Sequence, residues 1–118
     1  MSKQPIQRVE KPWGHELIWA KTGDYVGKIL HIKKGHMLSL QYHNIKEETI
    51  LVHTGKMLFV FENDQGVLEE ITLNAGEAHH IPPGKKHRMI AIEDTDVFEV
   101  STPHLEDIVR LEDGYGRA

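Results

Sequence analysis

The chain has 118 residues, the size of one domain, no cysteine, and a formal net charge of −4 from 14 basic and 18 acidic side chains. That balance excludes a basic nucleic-acid surface as the default reading, and the missing cysteines exclude disulfides, thiolate catalysis and Cys-based zinc sites. No apolar run approaches the ~18 residues that cross a bilayer, and residues 1–5 lack the apolar core of a secretory signal, so the sequence predicts a cytoplasmic single domain over 1–118, with no membrane or nucleic-acid partner.

Turn signals punctuate the chain at Lys34-Gly35, Thr54-Gly55, Asn63-Asp64-Gln65-Gly66, Asn74-Ala75-Gly76, Pro82-Pro83-Gly84 and Glu93-Asp94. Their spacing of roughly ten residues is the rhythm of an all-β sandwich or barrel. In chain order the predicted strands are 16–20, 26–33, 38–43, 49–53, 56–62, 67–73, 78–81, 87–92 and 97–101, with one short helical candidate at 105–111. The first strand region, 13–20, is expected to lie at a sheet edge. An edge needs cover, so the sequence predicts a homodimer with Trp13 and Trp19 as interface anchors. In 26–33, Lys28 shares a face with Leu30 and Ile32. A lysine among inward apolar side chains either reaches out along its stem to a barrel rim or has a functional role.

The nine histidines are dispersed, so spacing must sort them. After Gly35 come five residues, then Gln41-Tyr42-His43, four more, then Glu48, and six more before Gly55. Gln41 and His43, two apart on one strand, point to one face, and a turn at 44–46 brings Glu48 beside them on the neighbouring strand. After Gly76 come five residues, Pro82-Pro83-Gly84, two lysines and His87. An amide, two imidazoles and one carboxylate suit a divalent first-row metal ion, zinc first, with Mn, Fe, Co or Ni also compatible. Parity turns His31 and His53 away from this set. Of His79 and His80, only one can face inward.

These spacings resemble the two motifs of the cupin superfamily. Gln41 stands where most cupins have the first His, and Ala91 where the second motif ends in Asn. The resemblance implies an all-β single cupin domain, a double-stranded β-helix or jelly-roll barrel. Further segments are similar to the type II mannose-6-phosphate isomerase domain: Lys11-Pro12-Trp13-Gly14, Leu38-Ser39-Leu40-Gln41-Tyr42-His43, Ile81-Pro82-Pro83-Gly84-Lys85-Lys86-His87-Arg88, and the tail from Glu106 to Arg117. In that family the domain follows a large nucleotidyltransferase domain. With ten residues before the match, guanylyltransferase activity is not expected. The connection at 101–105 is also shorter than the family's, which bears on which sugar fits.

The resemblance implies interconversion of mannose 6-phosphate and fructose 6-phosphate, with a sugar phosphate as the small-molecule partner. Such a reaction needs a metal ion to polarise the carbonyl, a base for the C2 proton, and cations for the phosphate. Lys28, Arg88, Arg110 and Arg117 are the substrate-binding candidates. Lys28 and Glu99 are the proton-transfer candidates, with His79 and His80 behind them. Two other classes share parts of this pattern: a non-catalytic cupin that binds a sugar phosphate or a metal ion, and a cupin dioxygenase using the two-His, one-carboxylate set.

Overall fold

The computed structural model describes residues 3 and 5–117, which form eleven strands and no helix. In chain order these are β1 (Gln7–Lys11), β2 (Gly14–Lys21), β3 (Val26–Ile32), β4 (Leu40–Tyr42), β5 (Glu48–Thr54), β6 (Lys56–Glu62), β7 (Leu68–Asn74), β8 (Ala78–Ile81), β9 (His87–Ala91), β10 (Thr95–Ser101) and β11 (Val109–Glu112). They build two antiparallel sheets, ordered β1-β2-β3-β10-β5-β8 and β11-β4-β9-β6-β7. The expected all-β jelly-roll is the architecture observed.

Alternation of side chains puts one apolar face of each sheet inside. Leu30 and Ile32 of β3, Ile50 and Val52 of β5, Met57 and Phe59 of β6, Met89 and Ala91 of β9, and Val97 of β10 form the core. Burying such a set stabilises the fold by roughly 25 cal/mol for each Å² of apolar surface removed from water. Two glycines permit close approaches that any side chain would block. A Cβ on Gly14 would lie 1.9 Å from the His31 carbonyl oxygen, so only glycine starts β2 against β3. Gly55 turns β5 into β6 at φ +90°, and a Cβ there would lie 2.3 Å from the Asp94 carbonyl oxygen.

Several expectations change. The segment 105–111 is not a helix: 105–108 is irregular, and Val109–Glu112 pairs with β4, with Arg110 opposite Gln41. The Asp107 carboxylate accepts backbone N–H groups from another part of the chain, which ties this segment down in a non-helical path. The edge on this side of the sheet is β1 rather than β2, and its polar Gln-Arg-Val-Glu-Lys sequence has no buried face to announce it. Trp13 is not an interface anchor, because it is only 2% exposed in the chain's own core; Trp19 is 42% exposed. Finally, β5 is not a neighbour of β4. The two lie in different sheets, so Glu48 faces Gln41 and His43 across the barrel interior.

Candidate metal centre

His43 follows directly on β4, Glu48 begins β5, and His87 begins β9. All three are buried, and each offers one ligand atom within 4.8 Å of the others. Glu48 Oε1 lies 3.3 Å from His87 Nε2 and 3.8 Å from His43 Nε2. His43 Nδ1 donates to the Asp107 carbonyl at 2.5 Å, and His87 Nδ1 donates to the Lys85 carbonyl at 2.9 Å. A carbonyl only accepts, so each ring carries a proton on Nδ1, and the neutral ring turns an Nε2 lone pair toward the centre. Both Nε2 atoms are buried without a hydrogen-bond partner. Two lone pairs and a carboxylate converging on one point repel each other unless a cation lies between them, so the residues fit a metal ion.

Gln41 is buried and directly opposite His87 in the β4–β9 register, and its Oε1 accepts the Ser39 hydroxyl at 2.6 Å. The four residues singled out by spacing are all buried, with Glu48 on the sheet opposite Gln41 and His87.

A cavity of about 110 Å³ reaches Gln41 and His43 from the side of β2, β3, β10 and the tail. Five cationic side chains line it, Lys11, Lys28, Lys46, Arg110 and Arg117, against the carboxylates Glu16 and Glu99. Lys28 does face inward with Leu30 and Ile32; its Nζ lies 3.5 Å from Glu16 Oε1, and it stands opposite Glu99 in the β3–β10 register. Glu99 also faces inward. Burial and the nearby Glu48 charge push its carboxyl above the ordinary range, only partly offset by Lys46 and Lys28. Arg117 reaches the same cavity, but its fork is held by Asp113, at 3.0 Å and 3.1 Å. That guanidinium brings the Asp113 carboxyl down to about 2.

Arg88 does not join them. His87 faces in, so its chain neighbour faces out, and Arg88 donates to the Leu38 and Glu112 carbonyls, bracing the tail against β9. Of the adjacent histidines, His79 faces inward but into a different cavity, of about 330 Å³, with Phe59, Phe61, Ile81 and His87. Its ring tilts against Phe59 and Phe61 at 4.8 Å and 4.9 Å. His80 pairs with Glu47 at the surface. His31 pairs with Asp96, and His53 stacks on Phe98, both away from the centre.

Two residues were not anticipated. Lys46 is buried, with Nζ 3.0 Å from Glu48 Oε2 and 3.2 Å from Glu99 Oε2. Burial alone would favour its neutral form, but Glu99 and Glu48 override that and keep it firmly protonated. Burial likewise pulls the Glu48 carboxyl up, while the charge of Lys46 beside it helps to hold it well below its ordinary range. The other is Asp107. Its carboxylate accepts the N–H groups of Asn44, Ile45 and Lys46, at 3.0, 2.7 and 2.9 Å, while its carbonyl orients His43. The tail thus fixes the loop between two of the metal-facing side chains.

A family model described as a cupin domain matches residues 28–102. The alginate biosynthesis protein AlgA of Pseudomonas aeruginosa is 31% identical over 114 residues, which cover 92% of this chain and 23% of that protein. The xanthan biosynthesis protein XanB of Xanthomonas campestris pv. campestris is 31% identical over 116 residues, covering 94% of this chain and 24% of that one. This chain therefore spans about a quarter of the length of these curated relatives. Among solved structures, KdgF from a Halomonas species superposes with a TM-score of 0.73 at 23% identity, covering 85% of this chain and 86% of that one.

Proposed function

The chain belongs to the cupin domain family, and from that premise we propose that it is a metal-dependent sugar-phosphate isomerase acting on mannose 6-phosphate and fructose 6-phosphate. The observation that carries the reading is the cationic cavity that opens onto Gln41 and His43. A cleft lined mainly by cations beside a metal centre supports binding of a small anion.

In this reading Gln41, His43, Glu48 and His87 hold one divalent ion, zinc first, which polarises the substrate carbonyl and its neighbouring hydroxyl. Lys28 and Arg110 bind the phosphate, with Arg117 closing the mouth from the tail. Glu99 removes the proton at C2 and returns it at C1, while the C2 hydroxyl proton passes to the C1 oxygen, through the enediol. Its raised carboxyl supports that role, since a base works best near the ambient pH. Lys28 and Lys46 flank Glu99 and compensate the charge that it carries before it takes the proton.

The same proposal includes a cytoplasmic homodimer that uses the free β1 edge. Among the described residues no helix is long and apolar enough to cross a membrane. The test is metal analysis of the purified protein together with aldose–ketose turnover on a panel of hexose 6-phosphates. Stoichiometric metal with turnover supports the isomerase. Metal and sugar-phosphate binding without turnover replaces it with a non-catalytic cupin.

A further inference from the structure

Glu48 offers its two oxygens to different neighbours. Oε1 faces the imidazoles, 3.3 Å from His87 Nε2 and 3.8 Å from His43 Nε2. Oε2 forms an ion pair with Lys46 Nζ at 3.0 Å, in a geometry short of a hydrogen bond. That ammonium is itself anchored on its far side, 3.2 Å from Glu99 Oε2. The Lys46, Glu48 and Glu99 side chains are 7%, 2% and 6% exposed, so little water is at hand to replace any partner.

We propose that Lys46 is a positioning residue that restricts Glu48 to one-oxygen ligation. The ammonium occupies Oε2 and leaves Oε1 to meet the metal ion. A carboxylate in a metal centre can bind through one oxygen or both, and the difference is one coordination position. To swing Oε2 onto the ion, Glu48 would have to abandon Lys46 and leave a buried cation with Glu99 alone. Stripping a partner from a buried charge is among the costlier changes a protein interior can undergo. The bare Nε2 atoms fix two sides of the centre, and Lys46 thereby keeps a further position open for a ligand oxygen arriving through the cationic cavity. The alternation of charge from the ion through Glu48, Lys46 and Glu99 is what holds the arrangement in a low-dielectric interior.

This inference rests on reading His43, Glu48 and His87 as a metal centre, and the experiment separates the two. Co²⁺ is titrated into the metal-free full-length protein, and the visible absorption of the complex is recorded, since its intensity falls as coordination number rises. The native protein and Glu99→Gln, which keeps Lys46 on Glu48, are expected to share one spectrum. Lys46→Met is expected to lose band intensity as the second oxygen enters. The double variant Lys46→Met/Glu99→Gln removes one cation and one anion together, so it carries the test should the single variant fail to fold. It is expected to show the same loss.

Native protein that takes up no Co²⁺ overturns the metal reading and this assignment with it. Native protein that binds Co²⁺, with superimposable spectra in the lysine variants, overturns the Lys46 assignment alone. An equal loss in Glu99→Gln, or failure of both lysine variants to fold, also overturns it, by making the network a general structural element.

Discussion

Two cavities approach the metal centre from opposite sides of the same barrel. One is walled by β2, β3, β10 and the tail and carries five cations against two carboxylates in about 110 Å³. The other is walled by β6, β8 and β9, is larger at about 330 Å³, and is floored by Phe59, Phe61 and His79. At its rim Lys85 and Lys86 are offset by Glu62, Asp64 and Glu69. The strands are of one kind on both sides, so the contrast comes from which residues occupy the inward positions. Size and charge are separated here, and the smaller space is the one lined by the larger number of cations. His87 belongs to both, lining the aromatic cavity while its Nε2 meets Glu48.

The contrast can be broken at its centre first. His87→Ala should abolish stoichiometric metal uptake, measured by equilibrium dialysis with metal analysis, because it removes one of two bare imidazole nitrogens; retention of a full equivalent would dismiss the centre. On the charged side, Arg110→Ala should raise KM for the phosphosugar roughly ten- to a hundred-fold, the equivalent of one charge-assisted hydrogen bond of about 1.5–3 kcal/mol. Its metal content should not change, since it supplies no ligand. A drop in melting temperature with unaltered KM would make the residue a brace for the tail.

Asp107→Ala probes the support of the loop rather than either cavity. It strips three N–H groups of their acceptor and frees the segment that carries Lys46. We expect metal affinity to fall about tenfold, the lower end of what outer partners of metal ligands contribute, read by competition with a chelator. The smallest kinetic effect is predicted on the aromatic side. Phe61→Ala should lower stability by about 1–2 kcal/mol, less than for a fully buried Phe, and leave KM within about twofold. A tenfold change in KM would mean that substrate uses the larger cavity, and the contrast drawn above would fail.

Much of this was legible because period-2 parity and turn chemistry act locally. Parity alone placed Lys28 inward and His31 and His53 outward, and Gly55 marked the β5–β6 turn. It also contained the correct answer for Arg88, since the neighbour of an inward His87 must face out. Interactions between distant segments were less visible. The pairing of β11 with β4 depends on strands more than sixty positions apart, and the same tertiary pairing converts an apparent helix at 105–111 into a strand. β1 carries no apolar alternation because it sits at an edge with no face to bury. Glu48 was read as beside His43 in one sheet, although the turn at 44–46 carries the chain across to the opposite sheet.

The Asp107 clasp also sets an order of events during synthesis. The loop it closes lies 61 to 64 positions earlier in the chain. A nascent chain emerging from the ribosome exposes His43 and Glu48 well before the residue that orients His43 and pins residues 44–46. The orientation of His43 and the fixing of residues 44–46 are therefore completed only once residue 107 has been made and has docked.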